Sequence, residues 1–301
     1  MRVEFAAALK ETLNADPSAM FLTGDLGYNA FEELQKTYGK RFLNAGVAEQ
    51  NMVGVAAGLA LTGMRPWVYS ITPFLTFRAF EQIRIDVCFH NLPVRLVGNG
   101  GGYTYGIMGS THHALEDLGV LKGLPNLSLF FPCAGDQVQA AVHAMAALEG
   151  PAYLRLAISA FAKAGRKPLS ENPRTLTRRY RKGGAVTVIG VGHAVEIALA
   201  AMESSPSTDA DVFGVARFPF DPAADAELWE SARRTGRVVL VDEHYLAGGV
   251  AESLAAALPA LSRTILAARY RKDQLYGTSR FHLEQSGLTP EAVLNACQTK
   301  G

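Results

Sequence analysis

Cysteine is scarce in this chain. The three present in 301 residues, Cys88, Cys133 and Cys297, lie far apart and form no CxxC pair. That argues against a disulfide framework or a thiolate zinc site and suits a reducing compartment. Charge of one sign is missing too. The 29 Lys and Arg against 28 Asp and Glu leave a net +1 at pH 7, which offers no electrostatic case for nucleic acid. No apolar run approaches the roughly 20 residues of a membrane span. The opening residues, Met1-Arg2-Val3-Glu4-Phe5, carry no leader pattern. Internal repeats and low-complexity tracts are also missing. The expectation is a cytoplasmic protein with neither nucleic acid nor membrane among its partners.

What is present is apolar substance and turn residues. The chain is 49% hydrophobic with 29 glycines, enough for two α/β domains. Short apolar runs at 19–23, 65–70, 92–98 and 127–132 alternate with helical patterns at 3–15, 48–62, 74–90 and 135–149. This alternation predicts a doubly wound parallel sheet over residues 1–162. Residues 163–182 are basic, contain Pro168 and Pro173 and read as a solvated linker. Strand patterns at 185–190, 211–215 and 237–241, with helical patterns between them, predict a second parallel-sheet domain over 183–301.

The chemistry is concentrated in the first domain. Gly46-Val47-Ala48-Glu49-Gln50-Asn51-Met52 sets one carboxylate at the head of a run of Val, Gly, Ala and Leu. No basic residue lies within four positions of Glu49. In a buried helix such an acid needs a proton or hydrogen-bond donors, and it is a candidate for proton transfer. Its bland reading is a helix-start carboxylate favoured by the dipole. Phe74, Phe77 and Phe80 recur at a spacing of three, one stripe of an α-helix, which is ordinarily core. Gly98 to His113 is glycine-rich, as a loop closely approaching a ligand would be.

Gly46 to Gly58 resembles the "GIAEQNMVGIAAGLA" segment of the pyrimidine-binding domain of transketolase-like, thiamine diphosphate enzymes. The phenylalanines follow where that family stacks the cofactor's aminopyrimidine. The resemblance implies that Glu49 hydrogen-bonds the pyrimidine nitrogen and that Phe74, Phe77 and Phe80 hold the ring. Asp25 and Leu26 match the turn on the thiazolium side. Thr111-His112 aligns with the family's "GPTH" element, so His112 is implied as a second catalytic residue. Arg2, Met108, His113 and Arg155 are implied around the substrate, with structural roles for the two arginines as the alternative.

Departures from the sugar enzymes are visible. Met108 replaces an acid that reads a substrate hydroxyl, Gly100 replaces a histidine, and Ile158 replaces an arginine near a substrate phosphate. An apolar residue cannot pair with a hydroxyl, so the donor is not expected to be an ordinary pentose or hexose phosphate. Asp242-Glu243-His244 resembles a turn of the family's C-terminal domain, implying domain packing and dimer contact. Gly190-Val191-Gly192 lacks the third glycine of a dinucleotide fingerprint.

The family holds the diphosphate through Mg²⁺ with a Gly-Asp-Gly motif and an Asn some 25–30 residues later. Here Gly24-Asp25-Leu26 and Asn44 fail that pattern in residue and spacing, so no metal ligand is expected in this chain. A separate subunit carrying the Gly-Asp-Gly motif is implied, in an α2β2 heterotetramer. The same two domains occur in the β-subunit of a 2-oxoacid dehydrogenase first component, the alternative reading. The "EQNMVG" form with Thr111-His112 favours the transketolase resemblance. A non-catalytic relative is disfavoured by retention of Glu49 and the three rings.

Overall fold

Apolar runs too continuous for a solvent-facing strand build the first sheet. Ala19–Thr23 (β1) is buried at every position, as strands covered on both faces are. With Phe42–Asn44 (β2), Arg65–Ile71 (β3), Arg95–Asn99 (β4), Ser128–Phe130 (β5) and Ala152–Leu156 (β6) it forms a parallel array. The computed structural model describes residues 1–27, 29–163, 165–258, 262–269 and 276–299. Helix Glu49–Leu61 returns the chain from β2 to β3 and buries Glu49, Met52, Val53, Ala56, Ala57 and Ala60. That spacing is one helical face, and its small residues bring the helix close to the sheet.

The second sheet comprises Ser170–Glu171 (β7), Arg178–Arg181 (β8), Val186–Val191 (β9), Ala210–Val215 (β10), Arg237–Tyr245 (β12) and Ser262–Ala268 (β13), in the order β13-β12-β9-β10-β8-β7. Strands β9, β10, β12 and β13 pair in parallel, whereas β8 runs antiparallel to β10 and to β7. The short Arg217–Phe218 (β11) leaves this half and pairs antiparallel with β5, giving a first sheet of order β11-β5-β6-β4-β3-β1-β2. Both domains are thus mixed, mainly parallel α/β sheets. No helix among the described residues is long and apolar enough to cross a membrane.

Two expectations need correction. The basic segment 163–182 is not a solvated linker throughout, because Arg178–Arg181 is a strand of the second sheet. Arg178 is buried and pairs with Asp136 at 2.8 Å and Glu171 at 3.0 Å, while Arg179 pairs with the buried Asp211 at 2.6 Å. Two of these acids, Asp136 and Asp211, are distant in the sequence, which local charge cannot reveal. Residues 74–90 are also not a plain α-helix. Phe74–Arg78 and Ile83–Phe89 are π-helical around a short α-turn, Phe80–Gln82. A π-helix turns less per residue, so a spacing of three no longer returns to one face. Phe74 is half-buried, and Phe77 is 39% exposed. Phe80 instead packs against the core.

Candidate active site

The first sheet places its chemistry at the carboxyl ends of its strands. Both β2 and β3 pair with β1, on opposite sides, so the β1/β3 crevice is the topological switch point where open α/β sheets bind ligands. Gly24 follows β1 and Ser70 is the last but one residue of β3. A Cβ on Gly24 would lie 3.4 Å from the Ser70 hydroxyl and 3.7 Å from the Glu49 carboxylate. The acid therefore sits over the crevice.

Glu49 is 3% exposed, and its helix start leaves it donors from other elements. Ser70 Oγ donates to Oε1 at 3.1 Å and Arg78 Nη1 donates to Oε2 at 3.3 Å. The Arg78 guanidinium carbon lies 4.1 Å from the Phe74 ring centroid, a cation–π contact. The arginine side chain is half exposed, so solvent weakens the pair. A cleft of about 450 Å³ opens here, lined by Val47, Ala48, Glu49, Gln50, Asn51 and Arg78. A flat heterocycle with a basic ring nitrogen fits this donor set, a shielded carboxylate beside a half-open aromatic face.

The loop after β4 comes up against Phe74, the ring that Arg78 covers. The His112 ring lies edge-on to Phe74 at 5.0 Å and to Tyr105 at 6.0 Å. Its Nδ1 meets the Thr111 hydroxyl at 2.9 Å. Burial holds the imidazole below its ordinary range, and the Arg78 charge adds to the effect. His112 is therefore neutral at pH 7 and available to donate or accept. Asn99 donates to the Tyr105 hydroxyl at 2.6 Å. Arg2 lies near enough to Tyr69 and Tyr105 to favour their ionised forms, although burial pushes both phenols up. Met108 is 49% exposed in the Gly106–Met108 turn.

Asp25 and Leu26 follow β1 at the same edge. Asn44 accepts from the Asp25 N–H at 3.1 Å and donates to its carboxylate at 2.9 Å, tying the ends of β1 and β2 together. Asn44 also accepts from the Gly46 N–H at 3.0 Å, which orients the approach to Glu49.

Two implied substrate residues lie elsewhere. Arg155 is 2% exposed, and its Nε lies 3.1 Å from the Asp117 carboxylate. It donates to the carbonyls of Ala114 at 2.7 Å and Glu243 at 3.1 Å, so its work is internal. His113 turns toward the second domain, against Tyr103 at 5.1 Å and His282 at 4.7 Å. The glycine loop is likewise shaped by the chain itself. A Cβ on Gly101 would collide with Arg155 Nε, and one on Gly102 with the Glu243 carboxylate. His244 accepts from the Gly119 N–H at 3.0 Å, in keeping with its domain-packing reading.

Ser70, Arg78, Tyr105 and Asn99 are the site residues that sequence reasoning missed. A usable signal was present for two of them. Ser70 and Asn99 are polar residues near the carboxyl ends of apolar strand patterns, where parallel sheets place their sites.

Residues 1–161 match the family model described as transketolase, pyrimidine binding domain, and residues 176–277 that of transketolase, C-terminal domain. One subunit of the apulose-4-phosphate transketolase of Actinobacillus succinogenes is 33% identical, covering 73% of this chain and 70% of that protein. The 6-deoxy-6-sulfo-D-fructose transketolase subunit SqwH of a Clostridium species is 32% identical, covering 86% and 80%. A solved structure, split gene transketolase as an inactive beta4 tetramer, superposes with a TM-score of 0.80 at 30% identity. That match covers 98% of this chain and 95% of the other.

Proposed function

We propose, since the chain belongs to the transketolase family by both of its matched domains, that it is the pyrimidine-side subunit of a two-component, thiamine diphosphate-dependent ketol transferase. The observation that carries this reading is Glu49, buried over the β1/β3 crevice and joined through Arg78 to the Phe74 ring. When bound, thiamine diphosphate supplies a carbon nucleophile and an electron sink for cleaving a C–C bond next to a carbonyl. Glu49 holds the proton shared with the pyrimidine nitrogen, and Ser70 and Arg78 orient its carboxylate. Phe74 and Phe77 bound the flat ring and exclude water. Neutral His112, oriented by Thr111, hydrogen-bonds the substrate oxygen where charge develops.

Asp25 and Leu26 flank the thiazolium side. The diphosphate and its Mg²⁺ are assigned to a separate subunit with a Gly-Asp-Gly motif, in an α2β2 assembly. Relatives that are themselves named as single subunits of a transketolase support that division. Exposed Met108 and Ile158, where sugar enzymes carry polar groups, point to a ketose or 2-keto donor outside the common pentose and hexose phosphates. The test is an assay of this chain, its partner and their mixture. The mixture is expected to move a two-carbon ketol unit from a ketose to an aldehyde, and neither subunit alone to do so. A mixture that instead decarboxylates a 2-oxoacid onto a lipoyl acceptor overturns the proposal.

A further inference from the structure

The second domain grips the loop that carries Tyr105 and His112. The base of that loop is closed by the Gly102 and Ala114 backbones, which exchange hydrogen bonds at 2.9 and 3.0 Å. Glu243 reinforces the base, accepting from the Tyr103 N–H at 2.5 Å while its other oxygen holds His193 at 2.5 Å. The tip is held by helix Ser279–Ser286, started by a Thr278 cap on the Phe281 N–H. His282 Nε2 meets the Gly106 carbonyl at 3.2 Å, and His113 Nε2 meets the same oxygen at 3.3 Å. A carbonyl only accepts, so both rings carry their proton on Nε2. Tyr103 stacks on His282 at 5.1 Å, and its hydroxyl meets Ser286 at 2.9 Å. Gly106 admits no side chain here, since a Cβ would lie 2.6 Å from the Ser279 backbone nitrogen.

We propose that His282, from the second domain, is a positioning residue that fixes the Tyr105–His112 loop against Phe74 for the substrate. It touches neither cofactor nor reacting atoms. It acts through the Gly106 carbonyl and the Tyr103 ring, which lie in the same loop as Tyr105 and the His112 that meets Phe74. This rests on the proposed function. A misplacement of about 1 Å in such a loop can cost as much as 10²-fold in rate.

The test uses the chain assembled with its partner subunit as wild type, His282→Leu and His282→Gln. Leucine keeps bulk and removes the donor, whereas glutamine places an amide N–H at the reach of Nε2. In His282→Leu, amide exchange within 103–113 is expected to accelerate about tenfold, with exchange in 49–61 unchanged. In the same variant kcat/KM for the ketose donor is expected to fall about tenfold, mostly in kcat. The dissociation constant for thiamine diphosphate is expected to move by less than about twofold, since that binding surface is built on other elements. His282→Gln is expected to restore both exchange and kcat/KM. Unchanged loop exchange, unchanged kcat/KM or an equal loss of cofactor binding in His282→Leu overturns the inference. A wild-type complex with a protected loop and no ketol transfer overturns the proposed function instead, and the exchange comparison still decides the anchoring.

Discussion

In the complete two-subunit complex, Glu49→Gln lowers ketol-transfer turnover by roughly 10²- to 10⁴-fold, the range a positioned acid–base group contributes. The substitution is close to isosteric. The glutamine carbonyl can still accept from Ser70 Oγ, which now sits 3.1 Å from the carboxylate. What is lost is the ability to hold or release a proton at a shielded position. Folding is little affected, because the half-exposed Arg78 gains only modest energy from its pair with Glu49. A fall in turnover with an unchanged circular dichroism spectrum separates the chemistry from the fold. Turnover within tenfold of wild type would remove Glu49 from the mechanism.

Asp117→Asn is expected to have the largest effect on stability, a loss of about 3–5 kcal/mol, as for other buried pairs deprived of one charge. Asp117 is fully buried, accepts from the Tyr153 hydroxyl at 2.8 Å and faces Arg155. Burial disfavours the Arg155 cation, but Asp117 leads the neighbouring groups that raise its pKa. Removing the carboxylate charge leaves a guanidinium in the interior without its counter-ion. The change shows as a lower urea midpoint at unchanged slope. Replacing both partners together, Asp117→Leu with Arg155→Met, recovers part of the loss, because no isolated charge remains. A single-variant loss below about 1 kcal/mol would show that water reaches the pair.

The parts of the fold legible in the sequence are those whose burial is continuous. The β1 run Ala19–Thr23 and the small-residue helix Glu49–Leu61 state their environment in their own composition. Phe74 was singled out only by the family resemblance, because an aromatic stripe taken alone reads as core. What was not legible depends on contacts across long separations. Arg155 is ordinary in sequence, and only folding sets it beside Asp117 and the carbonyl of Glu243, 88 residues away. His113 and His282 share one carbonyl although the latter lies 176 residues from Gly106. Arg78 reaches Glu49 across 29 residues, so an acid unpaired along the chain is paired in space. The basic segment around Arg178 read as solvated for the same reason. Its counter-ions, Asp136 and Asp211, come from elements on either side of it.

Cofactor binding by the subunits singly and together tests the central claim most directly. Thiamine diphosphate with Mg²⁺ is titrated by calorimetry into this chain, into its partner and into an equimolar mixture. The account predicts saturable binding in the mixture that is at least about tenfold tighter than in either subunit, a coupling of about 1.4 kcal/mol or more. The gain should shrink when Glu49 is replaced by Gln. Equally tight binding by this chain alone would contradict an active site shared between two polypeptides.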